Sequence, residues 1–224
     1  MTTMIQTSTL SFLKGLKKNN EKTWFEANRK AYDAAKKNVE EFVQSIIDAH
    51  AKKDSGIADL EAKKCMFRIN RDVRFSKDKS PYKTNFGVSI NEGGKKALAG
   101  GYYIHIEPGK SFAGGGIYMP MPPELKKVRQ EIDYNTEEFE RILKAKSFAS
   151  IYGGLSDGEG MKLSRVPQGF DKESPAADYL VYKSYIAMVP LTDKELTDPA
   201  ITKKILKAFE ALQPLLGFIK RSLE

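Results

Sequence analysis

The chain has 224 residues, of which 41% are hydrophobic and 29% charged, enough to bury a core without covalent staples. One cysteine, Cys65, excludes an internal disulfide framework and a cysteine-rich zinc site, and no apolar run approaches the roughly 18 residues of a membrane span. The formal net charge is +8, and it is unevenly placed: residues 1–110 hold 21 Lys/Arg against 13 Asp/Glu, while residues 111–224 hold 16 of each. Met1–Thr9 is polar and uncharged, without the pattern of a signal peptide, so the expectation is a cytoplasmic protein whose residues 1–9 are flexible and whose remainder, within 1–224, is a single domain.

Residues 8–18 read as a short helix capped by Ser8, with Leu10, Leu13 and Leu16 at helical spacing. Asn20 is expected to cap a long helix reaching about Lys53, with Trp24, Ala31, Ala35, Val39, Phe42, Val43, Ile46 and Ile47 as its apolar stripe. Period-two alternation then predicts strands at Cys65–Asn70, Phe86–Asn91 and Tyr102–Glu107, with hairpin connections at Asn91–Lys96 and Glu107–Lys110. A fourth strand is expected at Phe112–Met119, where Gly114, Gly115 and Gly116 signal a bulge or a close approach. Pro122-Pro123-Glu124 starts a helix, Asn135 and Glu138 resemble a capping box, and a hairpin is expected to end near Leu163. A strand at Tyr182–Val189 and a helix starting at Asp198-Pro199 follow, with Pro214 expected to kink that helix or end it early. The predicted class is α+β: a mostly antiparallel sheet with one face covered by long helices.

Several familiar sites are argued against. Gly109-Lys110-Ser111 lacks the earlier glycine of a phosphate-binding loop, that position being Ile104. His50 and His105 with Cys65 are too few for a transition-metal site, so no metal is assigned. Asp72, Asp78 and Glu107 leave an oxygen-ligand magnesium site open.

The feature that carries chemistry is Lys63–Lys83, where eight cations face only Asp72 and Asp78, a net +6 in 21 residues. Arg68, Arg71, Arg74, Lys79 and Lys83 are interleaved with Phe75 and Tyr82, and arginine forks and tyrosine hydroxyls suit phosphates and carboxylates. Tyr103 and His105 share a strand face, and Arg165 and Lys183 would join the site if the chain folds them back. The competing reading is a loop held by its own ion pairs.

Blocks in this order resemble the bacterial family catalogued as domain of unknown function 2461. They are Phe12-Leu13, Leu16, Asn19-Asn20 and Trp24-Phe25; Arg71 to Phe75, Lys79 and Pro81 to Lys83; Gly101 to Tyr103; Gly115, Gly116 and Pro120; and Leu163 with Arg165 to Phe170. Where the family pattern places a histidine before a proline, this chain has Ser174-Pro175. The resemblance implies a single bacterial cytosolic domain and carries over no activity, cofactor or catalytic residue. The residues themselves favour a module binding a small anionic ligand, phosphorylated or not, through the Arg/Lys/Tyr cluster. The alternatives are a nucleic-acid-binding protein and an enzyme acting on an anionic substrate through Asp72, His105 or Glu107.

Overall fold

Leu10, Leu13 and Leu16 recur at helical spacing and are all buried on helix α1 (Thr7–Lys18) in the computed structural model, which describes residues 3–94 and 100–224. The long helix expected from Asn20 is two helices, α2 (Lys22–Ala27) and α3 (Arg29–His50). They part at Asn28, where φ is −107° and ψ is 18°, and the Asn28 side-chain amide donates to the Trp24 carbonyl at 2.9 Å. Such a local bond offers the backbone an alternative to the helix ladder. Neither Ser8 nor Asn20 acts as a cap: the residues at those positions are Gln6 and Glu21, without side-chain capping bonds.

The segment expected to be flexible is tied down from residue 3. Ile5 and Thr9 are fully buried. Asn38 of α3 accepts from the Gln6 N–H at 2.9 Å and the Thr9 hydroxyl at 2.8 Å, and donates to the Met4 carbonyl at 3.0 Å. One buried amide thus satisfies three groups that burial would otherwise leave unpaired.

A short helix α4 (Ala62–Cys65) takes the place of the start of the first expected strand. Period two fails there, because Met66 and Ile69 are buried while Phe67 is exposed. Of the next strands, β2 (Gly101–Ile106) obeys it, burying Tyr102, Ile104 and Ile106; β1 (Phe86–Ile90) buries Phe86, Val88 and Ile90 together with Gly87, and β3 (Ser111–Ile117) buries Ala113, Gly114 and Gly115 in a row. The expected hairpin connection at Asn91–Lys96 reaches, with Lys95 and Lys96, outside the described residues.

After β3 come α5 (Pro122–Tyr134), α6 (Thr136–Lys144), α7 (Lys146–Tyr152) and α8 (Ala177–Leu180). Strand β4 (Tyr185–Leu191), α9 (Asp193–Leu196) and α10 (Ile201–Leu223) complete the chain. Asn135 makes no capping bond; its amide donates to Glu131 instead, at 3.1 Å. The hairpin near Leu163 is a single antiparallel bridge, Lys162 to Tyr182, and Pro214 lies inside α10, which runs on to Leu223. The fold is α+β with one antiparallel sheet in the order β1-β2-β3-β4.

The chain divides into two compact units. The first comprises Met1–Lys95, Tyr103–Ala113 and Pro190–Lys207, and the second Lys96–Tyr102, Gly114–Val189 and Ala208–Glu224. In the second unit Tyr102 stacks on Phe209 of α10 at 4.5 Å. There the three glycines of β3 meet neighbouring backbone: a Cβ on Gly114 would lie 2.0 Å from the Ala187 carbonyl oxygen, and one on Gly115 would lie 2.2 Å from that of Gly101. The glycines therefore mark a close approach of strands, one of the two outcomes their composition predicts.

In the first unit, replacing Asn38 by Ala orphans the Gln6 N–H and the Met4 carbonyl. A loss of about 1–3 kcal/mol in denaturant unfolding is expected, with fast hydrogen exchange at the Gln6 amide. Unchanged protection at Gln6 would show that the tether does not hold in solution.

Candidate functional site

The site is built on a strand pair. Antiparallel bridges join Met66 to Val88 and Asn70 to Tyr82, and backbone bonds run from Phe67 N to Gly87 O at 2.9 Å, Lys83 N to Ile69 O at 2.8 Å and Arg71 N to Pro81 O at 2.9 Å. From Phe67 to Ile69 the chain advances two residues, while its partner advances four, from Lys83 to Gly87. The surplus, at Thr84 and Asn85, is a bulge, which re-aims side chains on either side of it.

Beside this bulge opens a solvent-facing cleft of about 420 Å³, lined by Phe67, Arg71, Asp72, Lys83, Asn85, Gly87, Tyr103 and His105. Gly87 has a steric reason to be glycine: a Cβ there would stand 2.5 Å from the Tyr103 hydroxyl oxygen. Burial raises the Tyr103 phenol above its ordinary value, so it stays protonated and can donate.

His105 is held on three sides. Its ring stacks on Phe112 of β3 at 4.9 Å and 7°, lies 6.3 Å from the Tyr103 ring, and places Nε2 3.2 Å from Glu107 Oε2. Glu107 is itself steadied by Thr84 Oγ1 at 3.4 Å and Lys17 Nζ at 3.6 Å.

The cations divide sharply. Arg74 binds Asp72 through Nε at 3.0 Å and Nη2 at 2.7 Å, so both charges are neutralised within the loop, and this pair holds the Asp72 carboxyl below its ordinary range. Lys79 donates to the Val73 carbonyl at 3.0 Å. Arg71 donates through Nη1 to Asp78 and to the Ser80 carbonyl at 3.1 Å, and through Nη2 to Ser76 at a long 3.4 Å. Its Nε has no partner among the described residues, and Nη2 makes only the long bond to Ser76, so the guanidinium keeps donors for an oxyanion. Lys83 has no carboxylate partner among the described residues, and its ammonium sits 5.4 Å from the centre of the Phe67 ring. Burial, then the charge of Arg68, lowers its pKa.

Of the residues singled out from sequence, Arg71, Lys83, Tyr103 and His105 come together in the cleft. Arg68, Arg74 and Lys79 are exposed and outside it. Tyr82 is buried, stacked on Phe25 at 4.1 Å, with both its peptide groups bound by the Asn20 side chain at 2.9 and 3.1 Å. It is a packing residue, because its ring is covered by another aromatic. Arg165 is exposed in the second unit, and it and Lys183 are not among the lining residues. Asp72 and Asp78 pair with arginines, and no group of three or more His, Cys, Asp or Glu among the described residues is arranged to hold a metal. Phe67, Asn85 and Gly87 were missed. The available signal was the isolated glycine inside the alternating strand Phe86–Ile90.

Hydrogen bonds from the Ser80 hydroxyl and backbone, then Arg71, bring the Asp78 carboxyl down from 3.8 to about 2. A carboxyl depressed by folding stabilises above its unfolded value and loses that contribution as pH falls through its folded value. The loop clasp is therefore complete above about pH 4 and lost as pH falls toward about 2. A carboxyl titration by NMR checks this; a midpoint at 3.8 would mean that the Ser80 and Arg71 bonds are not kept in solution.

No curated protein and no solved structure matches the chain. The model of the family described as conserved hypothetical protein (DUF2461) matches residues 8–218, a span that includes every residue of the cleft, and the chain belongs to that family.

Proposed function

We propose that the cleft binds a small anionic ligand carrying a phosphate or carboxylate. The observation that carries this reading is the meeting, in one open cleft, of an arginine with unused donors and a lysine without a carboxylate partner among the described residues. Tyr103 adds a hydroxyl donor, Asn85 an amide, and Phe67 an apolar wall. Asp72 does not oppose an anion, because Arg74 already neutralises it.

One observation favours a second reading. Phe75 is 95% exposed, with the Arg74 guanidinium 5.8 Å from its ring centre, an arrangement that also suits stacking against a single-stranded nucleic acid. The cleft itself favours the small ligand, since its donors converge on a concave volume rather than along a strip.

Thermal unfolding at about physiological salt separates the two. Inorganic phosphate, sulfate, sugar phosphates and dicarboxylates form one panel, and short oligonucleotides the other. A ligand at roughly 100 times its Kd stabilises by about 2.7 kcal/mol. Arg71→Ala and Lys83→Gln are each expected to weaken a small anion at least about tenfold, in line with ~1.5–3 kcal/mol for a hydrogen bond to a charged group. Because Arg71 also clasps its loop, the Lys83 variant keeps the test independent of loop order. Gly87→Ala should displace the Tyr103 hydroxyl and weaken the same ligand. Stabilisation by oligonucleotides alone, steeply reduced by salt, would replace this reading with the nucleic-acid one.

A further inference from the structure

We propose that Lys83 is a reactive amine that forms an imine with small anionic aldehydes held in this cleft. The inference rests on the anion reading above and extends it to a covalent step. Three features of the site support it. Lys83 is the lysine that lines the cleft, and it is half-buried where Arg68, Lys77 and Lys79 are exposed. It lacks the carboxylate that would hold it as an ammonium, whereas Lys63 and Lys64 both pair with Glu61. Phe67 and Arg68 provide the two surroundings that activate a lysine nucleophile, an apolar wall and a neighbouring cation.

Opposed effects act on that amine. The Phe67 ring favours the ammonium, as an aromatic face does at a partly exposed site. Burial and Arg68 act the other way, and the direction is a lowered pKa, which enlarges the neutral fraction that can attack.

In the step itself the neutral Lys83 Nζ forms a bond to the aldehyde carbon while the carbonyl π bond opens onto oxygen. Both amine hydrogens end on that oxygen, which departs as water, leaving a C=N bond. No oxidant or reductant is needed. The proton must move from nitrogen to oxygen within the adduct, and His105 lines the same cleft with its ring fixed by Glu107 and Phe112. Tyr103, kept protonated by burial, can hydrogen-bond the developing alkoxide. Arg71 would grip the anionic group of the aldehyde.

The probe is pyridoxal 5′-phosphate, with unphosphorylated pyridoxal beside it, incubated with the intact chain, reduced with borohydride and mapped by peptide mass spectrometry. The expected result is labelling at Lys83 at least about tenfold above any other lysine, suppressed by inorganic phosphate, and weaker with pyridoxal. Lys83→Arg, which keeps a cation beside Phe67, should remove the site-specific label and the imine absorbance. Label spread evenly over surface lysines, or an imine signal that survives in Lys83→Arg, overturns the proposal. If phosphate stabilises the chain but Lys83 is not labelled, the covalent step falls while the anion cleft stands. If pyridoxal labels Lys83 as well as its phosphate does and phosphate neither competes nor stabilises, the anion reading falls, and with it the proposal as stated. The mapping on the unmodified chain decides the matter even if the variant does not fold.

Discussion

The offset pairing of residues 66–71 with 81–88 is the constraint on which the cleft depends. Four residues on one strand answer to two on the other, so Thr84 and Asn85 cannot lie in the ladder. That surplus sets Lys83 and Gly87 on either side of a bend, with Asn85 between them, all three on the wall of one cavity. Residues 83, 85 and 87 keep the spacing of two that puts side chains on one face, and a surplus of two residues preserves that parity. The second wall comes from β2, where Tyr103 and His105 share a face because they are two residues apart. Gly87 links the walls, since it lets the Tyr103 hydroxyl lie against the backbone of β1.

The concentration of charge in the chain is only indirectly the charge of the site. Arg74 closes on Asp72, Arg71 on Asp78, and Lys63 and Lys64 on Glu61, so four of the eight cations are held by carboxylates. These pairs are exposed and contribute little to stability. Their effect is geometric: the two arginine pairs hold the loop between Arg71 and Pro81 and leave Arg71 with open donors. The field at the cleft is then set by Arg71, Lys83 and the nearby Arg68, a much smaller set than the sequence of the segment advertises.

How much could be read beforehand varied with the range of the interaction responsible. The strands at Phe86–Ile90 and Gly101–Ile106 and the close approach at Gly114–Gly116 were legible, because alternation and glycine content report on a residue's own surroundings. The break at Asn28 was not, since Trp24 to Ile47 keeps one apolar stripe across it and the competing bond is a single side-chain contact. Tyr82 was misread for a longer-range reason: a tyrosine among cations looks like a ligand contact until Phe25, distant in sequence, is found on its ring. Arg74 and Arg71 look alike in the chain, and only the fold shows that Arg74 is exposed and bound to Asp72 outside the cleft while Arg71, bound to Asp78, lines it.

Asn20 has a consequence beyond local order. Around the Asn70–Tyr82 bridge the ladder bonds are made by the flanking residues, Lys83 to Ile69 and Arg71 to Pro81, so the N–H and C=O of Tyr82 point away from the pair. Unpaired groups at a strand edge are a template for a strand from another molecule, and exposed edges are where sheet proteins aggregate. The Asn20 carboxamide presents one acceptor and one donor at the spacing of a peptide unit and occupies both groups of Tyr82. A single side chain thus acts as a one-residue imitation of the missing neighbour strand, closing the sheet at this point against unwanted intermolecular pairing.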